Sequence, residues 1–314
     1  MNLVTMDYFV ALAEERSFTR AAERLHVTQQ TLSAHIAQTE RELGSRLVNR
    51  KVPLTLTFAG ERFLEYARRF QATRRVMDQE FLDLAKDERG LLGIGIAATR
   101  GHMLLPEALK RFQEAHPGID AVITEEENQA LIELLREGRV DMVVATVPEN
   151  LSGFTVRHLY DEKIVLLVSE QLLERVFADA DDPAAAREQA LALAVTGDLS
   201  GLAACPFMML GEGDEPGEMA RKLIARSGFK PWVRVRSTNS ETLVDLAARS
   251  VGACFVPQRL VDENFVKGED DGMLAVNLGP DSSISIDVAW RADEHIWSVI
   301  ESFHGVLHEL YSER

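Results

Sequence analysis

Cysteine is nearly absent. Cys205 and Cys254 are the only two in 314 residues, too few for a disulfide framework. No apolar run reaches the roughly 18 residues that a membrane-spanning helix needs. The opening MNLVTMDYFVALAEERSF has no basic leader and is broken by Asp7, Glu14 and Glu15, so neither a signal peptide nor a membrane contact is expected and the chain reads as cytoplasmic. No phosphate-binding glycine motif and no nucleophile elbow occurs, which removes the commonest catalytic classes. His304 and His308 lie one helical turn apart, but no Cys or carboxylate set joins them, and an amphipathic C-terminal helix accounts for the pair. No metal, cofactor or enzymatic activity is expected. Basic residues are also scarce: 34 Lys+Arg against 50 Asp+Glu leave a net charge of -16, which at first argues against a nucleic-acid partner.

What is present is ordinary for a folded protein. A hydrophobic content of 46% with 27% charged residues excludes disorder on the scale of a domain, and the length suggests two or three domains. The charge is divided by position. Residues 1–75 hold 12 basic and 8 acidic side chains, or +4, and the remainder holds 22 and 42, or -20. Phosphate attraction acts mainly within about 10 Å at ordinary salt, so a basic head can hold DNA while an acidic body keeps away from it.

The head reads as three helices and a wing. Met6, Phe9, Val10, Leu12 and Ala13 recur at helical spacing. Ser17 offers an N-cap to a second helix carrying Phe18, Ala21, Ala22 and Leu25, and His26 and Val27 make a turn. Thr28 caps a third helix from Gln29 to about Leu43, closed by Gly44, with Leu32, Ile36, Thr39 and Leu43 on its buried stripe. Its front exposes Gln29, Gln30, Thr31, Ser33, Ala34 and His35, residue types that pair with base edges in a major groove. Arg50 and Lys51 at the tip of the wing, with Ser17, Thr19, Arg20 and Arg24, are candidates for phosphate contact. The alternative for each is a solvated or capping residue.

The order YFVALAEERSFTRAAERLHVTQQTLSAHIAQTERELGSRLVNR, then LTLTFAG and a long helix, resembles the LysR-type transcriptional regulators over nearly the whole chain. That family commonly has Ser-Gln-Pro where this chain has Thr28-Gln29-Gln30, and an Arg where Ala34 follows Leu32-Ser33. These departures bear on base preference. The resemblance implies a winged helix-turn-helix, a long dimerisation helix and a two-lobed periplasmic-binding-protein-like α/β effector domain. Its implied partners are double-stranded DNA, a small-molecule effector, further copies of the chain as a dimer or tetramer, and RNA polymerase. The rival readings are an architectural DNA binder without an effector and a solute-binding protein.

No Gly or Pro interrupts residues 61–87, which suggests one long helix. Phe63, Phe70, Met77 and Leu84 recur every seven residues, with Ala67 and Phe81 alongside, the mark of a helix that packs along a partner helix; core contact with the chain's own body is the alternative. The expected units are residues 1–58, a linker over 59–89, and an effector domain over 90–314, with lobes over 90–164 plus 272–314 and over 165–271.

In the body, apolar strands alternate with helices, which argues for parallel sheet. Ligands bind beyond the carboxyl ends of such strands, near helix N-termini. That rule selects Thr99, Arg100, Gly101 and His102 after one strand, Asn128 and Thr146 after the next two, and Gly211, Thr238 and Asn239 in the matching half. The reading is a small organic anion with Arg100 as its charge partner; ordinary helix caps and a solvated Arg are the alternative. SISIDVAWR is expected to return to the first lobe. The segment 170–198 is expected as a surface loop or short helix. Cys254 reads as a core thiol, and Cys205, before Pro206, as the more exposed of the two.

Overall fold

The computed structural model describes residues 3–51, 53–85, 89–148, 151–265, 272–292 and 295–312. The head is α1 (Leu3–Glu15), α2 (Phe18–Arg24), α3 (Gln29–Leu43) and an antiparallel pair, β1 (Val48–Asn49) with β2 (Thr55–Leu56). Local chemistry sets the ends. The Ser17 hydroxyl accepts the Arg20 N–H at 3.4 Å, the Thr28 hydroxyl accepts the Thr31 N–H at 3.1 Å, and Gly44 closes α3 at φ +65. Phe9, Leu12, Ala21, Leu32 and Ile36 are fully buried together. Leu43 departs from the expected stripe: it is 45% exposed. The stripe closes instead on Thr39, whose hydroxyl donates to the His35 carbonyl at 3.0 Å and so satisfies itself inside the core.

The long helix α4 (Phe58–Ala85) begins two residues before the expected Gly60, and the expected end at Asp87 lies outside the described residues. Phe63 does not belong to its outward row. It is buried in the head, edge-on to Phe9 with ring centroids 4.8 Å apart. Phe70 and Met77 are each 48% exposed, Phe81 63% and Leu84 70%, with Tyr66 beside them. The opposite side of α4 packs on the chain's own body, which the sevenfold repeat alone does not suggest. Arg68 pairs with Glu137 at 2.5 Å, Gln79 donates to Asp141 at 2.9 Å, and Asp83 accepts from the Ser298 hydroxyl at 2.6 Å and faces His295 at 2.8 Å.

The body runs β3 (Gly90–Ile96), α5 (Ala98–Ala115), β4 (Ile119–Glu125), α6 (Asn128–Arg136), β5 (Met142–Ala145), β6 (Phe154–Ser169), α7 (Glu170–Val176) and α8 (Pro183–Ala194). It continues with β7 (Pro206–Leu210), α9 (Glu215–Arg226), β8 (Trp232–Ser237), α10 (Ser240–Ala248), β9 (Ala253–Pro257) and α11 (Gln258–Asn264), and ends with β10 (Met273–Asn277), β11 (Ser283–Arg291) and α12 (Ser298–Tyr311). Among the described residues the strands make one sheet in the order β4-β3-β5-β11-β6-β9-β7-β8, with β10 on β6. The strands β4, β3 and β5 are parallel, as are β8, β7 and β9. The two parallel halves meet at β6, which pairs β11 through residues 154–163 and β9 through residues 164–167. β11 does return to the first half, antiparallel to β5. Segment 170–198 is mostly two helices rather than loop. Leu172, Leu173, Ala190 and Ala194 bury their side chains against the second half.

Gly60 sits where α4 leaves the wing, its N–H donating to the Thr57 hydroxyl at 3.0 Å, and any Cβ there would meet the Leu47 carbonyl. A backbone oxygen cannot swing aside. Gly60→Ala is expected to destabilise the head by about 1–3 kcal/mol, the usual cost of overpacking, read as a lower melting temperature of the head. An unshifted melt would mean that the wing and α4 are not packed this closely.

Candidate DNA interface and effector cleft

At the tip of α3, Gln29, Gln30, Thr31 and Ala34 are exposed. The hydroxyls of Thr28 and Thr31 lie 2.8 Å apart, so each is partly occupied by the other. Ser33 and His35 are half-buried; the His35 ring meets Tyr8 edge-on at 5.0 Å. Arg50 is not a free tip residue. Its guanidinium lies over the Phe18 ring at 5.5 Å and reaches Ser33 and Glu40, each at 3.4 Å, which fixes the wing over α2 and α3. Lys51 is exposed beside it, and Thr19 is exposed and Ser17 half-buried on α2. Arg20 and Arg24 turn toward the acidic end of α1, Arg20 to Glu15 at 3.5 Å and Arg24 to Glu14 at 2.8 Å. Exposed pairs of this kind contribute at most about 1 kcal/mol, so they orient both arginines away from free display without locking them.

In the body a cleft of about 230 Å³ opens between the two halves of the sheet. Thr99, Arg100, Asn128, Gly211 and Thr238 line it. The other four expected residues fall elsewhere. Gly101 turns into α5, facing Ile96 and Glu125; His102 is exposed on the next position of that helix; Thr146 lines a separate cavity with Met219, Lys222 and Ile284. Asn239 accepts the Thr242 N–H at 2.7 Å, an ordinary helix cap.

Arg100 is 5% exposed and donates to Glu162 at 3.2 Å, and Tyr160 donates to the same carboxylate at 2.8 Å. Burial raises the Tyr160 phenol well above its ordinary range, so it stays a donor. Arg100, expected as the charge partner of a small organic anion, already faces Glu162, and carboxylates dominate the lining. Glu125, Glu126, Glu127, Glu162, Asp214 and Glu215 all border the cleft, and sequence reasoning selected none of them. Glu125 ends β4 and Glu126 and Glu127 follow it, so all three were visible to the same strand-end rule. Glu162 gave no local signal, since it sits inside the long strand β6. Asp214 accepts the Gly217 N–H at 3.0 Å, yet burial still holds its carboxyl above the usual range.

Cys205 is fully buried, contrary to the expectation of greater exposure, and so is Cys254. Desolvation pushes the Cys205 thiol up to about 12 and raises that of Cys254 as well. Thiolate is the reactive form, so neither should react with a disulfide reagent at pH 8 in the native protein, and both should after unfolding. Rapid native labelling of either would contradict this packing.

A winged helix-turn-helix joined by one long helix to a two-part α/β domain with a polar cleft defines a class: DNA-binding regulators that carry their own ligand sensor. Residues 3–61 match "Bacterial regulatory helix-turn-helix protein, lysR family" and residues 85–312 match "LysR substrate binding domain". The chain belongs to the LysR family of transcriptional regulators. It is 31% identical to the hydrogen peroxide-inducible genes activator of Haemophilus influenzae, over 85% of this chain and 84% of that one. It is similar to the structure of a full-length OxyR variant from Pseudomonas aeruginosa, with a TM-score of 0.71, 23% identity and coverage of 98% and 94%. It is also similar to full-length CbnR complexed with its target DNA, with a TM-score of 0.64, 20% identity and coverage of 98% and 99%. Among the described residues no helix is long and apolar enough to cross a membrane.

Proposed function

We propose that this regulator binds promoter DNA as a homodimer, further paired into a tetramer, and that a small molecule in the cleft between the lobes changes how the two heads are presented. The observation that carries the reading is the double use of α4: one side is bonded to the body through Arg68, Gln79 and Asp83, and the other leaves Phe70, Met77, Phe81 and Leu84 exposed for a second copy. Unburied apolar rows of this size on a helix favour association. The units are residues 1–58, 59–89 and 90–314, with lobe I over 90–164 and 272–314 and lobe II over 165–271. Gln29, Gln30, Thr31 and Ser33 read the major groove, while Thr19, Lys51 and the displaced side chains of Arg20 and Arg50 meet phosphates. Contact with RNA polymerase and a cytoplasmic location follow from that role. The peroxide response in the name of the Haemophilus influenzae relative is not carried over, because both thiols of this chain are buried and held protonated.

An effector acts here only through different affinities for two arrangements of the body. The bonds from α4 to the body supply the path by which such a difference reaches the heads.

Replacing Gln29 or Gln30 by Ala is expected to reduce discrimination between operator and altered operator by about 1–3 kcal/mol, whereas Lys51→Ala weakens all sequences alike and lowers the salt slope by about 1. Fluorescence anisotropy on operator and scrambled duplexes reads both; equal scaling by the Gln variants would remove α3 from the groove. Phe81→Glu combined with Leu84→Glu is expected to yield a smaller assembly in sedimentation velocity with an unchanged melt. An unchanged mass would place the subunit contact elsewhere.

A further inference from the structure

The cleft carries two opposed signals. Six carboxylates border it against one guanidinium. The starts of α5, α6, α9 and α10 also meet there, and each helix N-terminus is equivalent to roughly half a positive charge. With Arg100 and all four helix ends counted, about three negative charges stay unmatched. Glu127 stands at the N-cap position of α6 without using its side chain to cap. A ligand that is only an anion would enter against this field.

Arg100 points the other way. It is nine-tenths buried on the wall of the cleft, and while Nη2 meets Glu162, its Nε and Nη1 have no partner among the described residues. Buried donors without acceptors carry an uncompensated desolvation cost, and a carboxylate that pairs with both removes it. Asn128 Oδ1 is the complementary case, a buried acceptor with no donor at the same cleft.

We propose that the effector is an amino carboxylate: a small molecule with one carboxylate and at least one protonated amine or guanidine. Its carboxylate meets Arg100 near the helix starts, and its cationic end lies among Glu126, Glu127 and Asp214 and donates to Asn128 Oδ1. The cleft is smaller than the roughly 300–1,000 Å³ of sites for drug-sized ligands, which suits a single amino acid. This inference rests on the reading of the cleft as the effector site.

The full-length protein would be titrated with L-arginine, L-lysine, agmatine and glutarate, followed by melting shift and calorimetry. Agmatine keeps the guanidine without the carboxylate, and glutarate has carboxylates without nitrogen. At least one amino acid is expected to raise the melting temperature with ligand concentration, agmatine to bind at least tenfold more weakly, and glutarate not to bind. Glu126→Gln combined with Glu127→Gln, both exposed and safe for folding, is expected to weaken that amino acid at least tenfold with DNA affinity unchanged. Arg100→Lys is expected to remove the preference over agmatine. Tighter binding of glutarate, or no binding of either amino acid, overturns the ligand class while leaving the regulator reading intact. Amino-acid binding that the double Gln variant does not alter moves the effector site out of this cleft, and both readings of the cleft fail together.

Discussion

A buried carboxylate ties the helix that leads to the DNA-binding head to the first strands of the sensor. Asp141, 1% exposed at the edge of β5, accepts the Gly93 N–H of β3 at 2.7 Å through one oxygen and the Gln79 amide of α4 at 2.9 Å through the other, with Arg75 at 3.7 Å. A buried charge is tolerated only when its lone pairs are filled. Its demands therefore hold three segments far apart in sequence in one register: the first strand of the sensor, the strand that neighbours it, and the helix that leads to the head. Shift β3 against β5, and the carboxylate loses a partner that water cannot replace. The coupling expected of a regulator has here a short physical route.

Around that tie the two functions are kept apart by charge. The basic excess lies within residues 1–75, much of it on the first part of α4, while the acidic body borders its cleft with Glu125 at the end of β4 and Glu126 and Glu127 just after it. Screening over about 10 Å at ordinary salt lets each field act on its own partner. The negative body discourages adventitious contact with DNA. Arg100 is the exception that gives the cleft polarity, held by Glu162, with Tyr160 and the stacked Arg259 at 4.7 Å behind it.

The helix α4 shows how one element serves two masters. Its sevenfold repeat is real, but its first member, Phe63, is taken by the head core, and only the later members remain on the outer face. The opposite face is polar, with Arg68, Gln79 and Asp83 bonded to the body. Polar bonds tie one face to the body, and the apolar row of the other face is left exposed.

Sequence alone determined whatever depends on neighbours within a turn or two. Ser17, Thr28 and Gly44 cap or close helices because short side chains and a residue without Cβ do so wherever the backbone needs it; the alternation of apolar strands and helices likewise declared an α/β body, and Thr99, Asn128 and Thr238 reached the cleft by the strand-end rule. Tertiary structure decided what depends on residues distant in the chain. Only the assembled fold reveals that Leu43 faces solvent, that Arg50 is pinned by Phe18 and Glu40, that Cys205 is sealed, and that Glu162 crosses from mid-strand to meet Arg100. Burial and electrostatic environment are set by whichever segments pack alongside, and linear spacing carries no record of them.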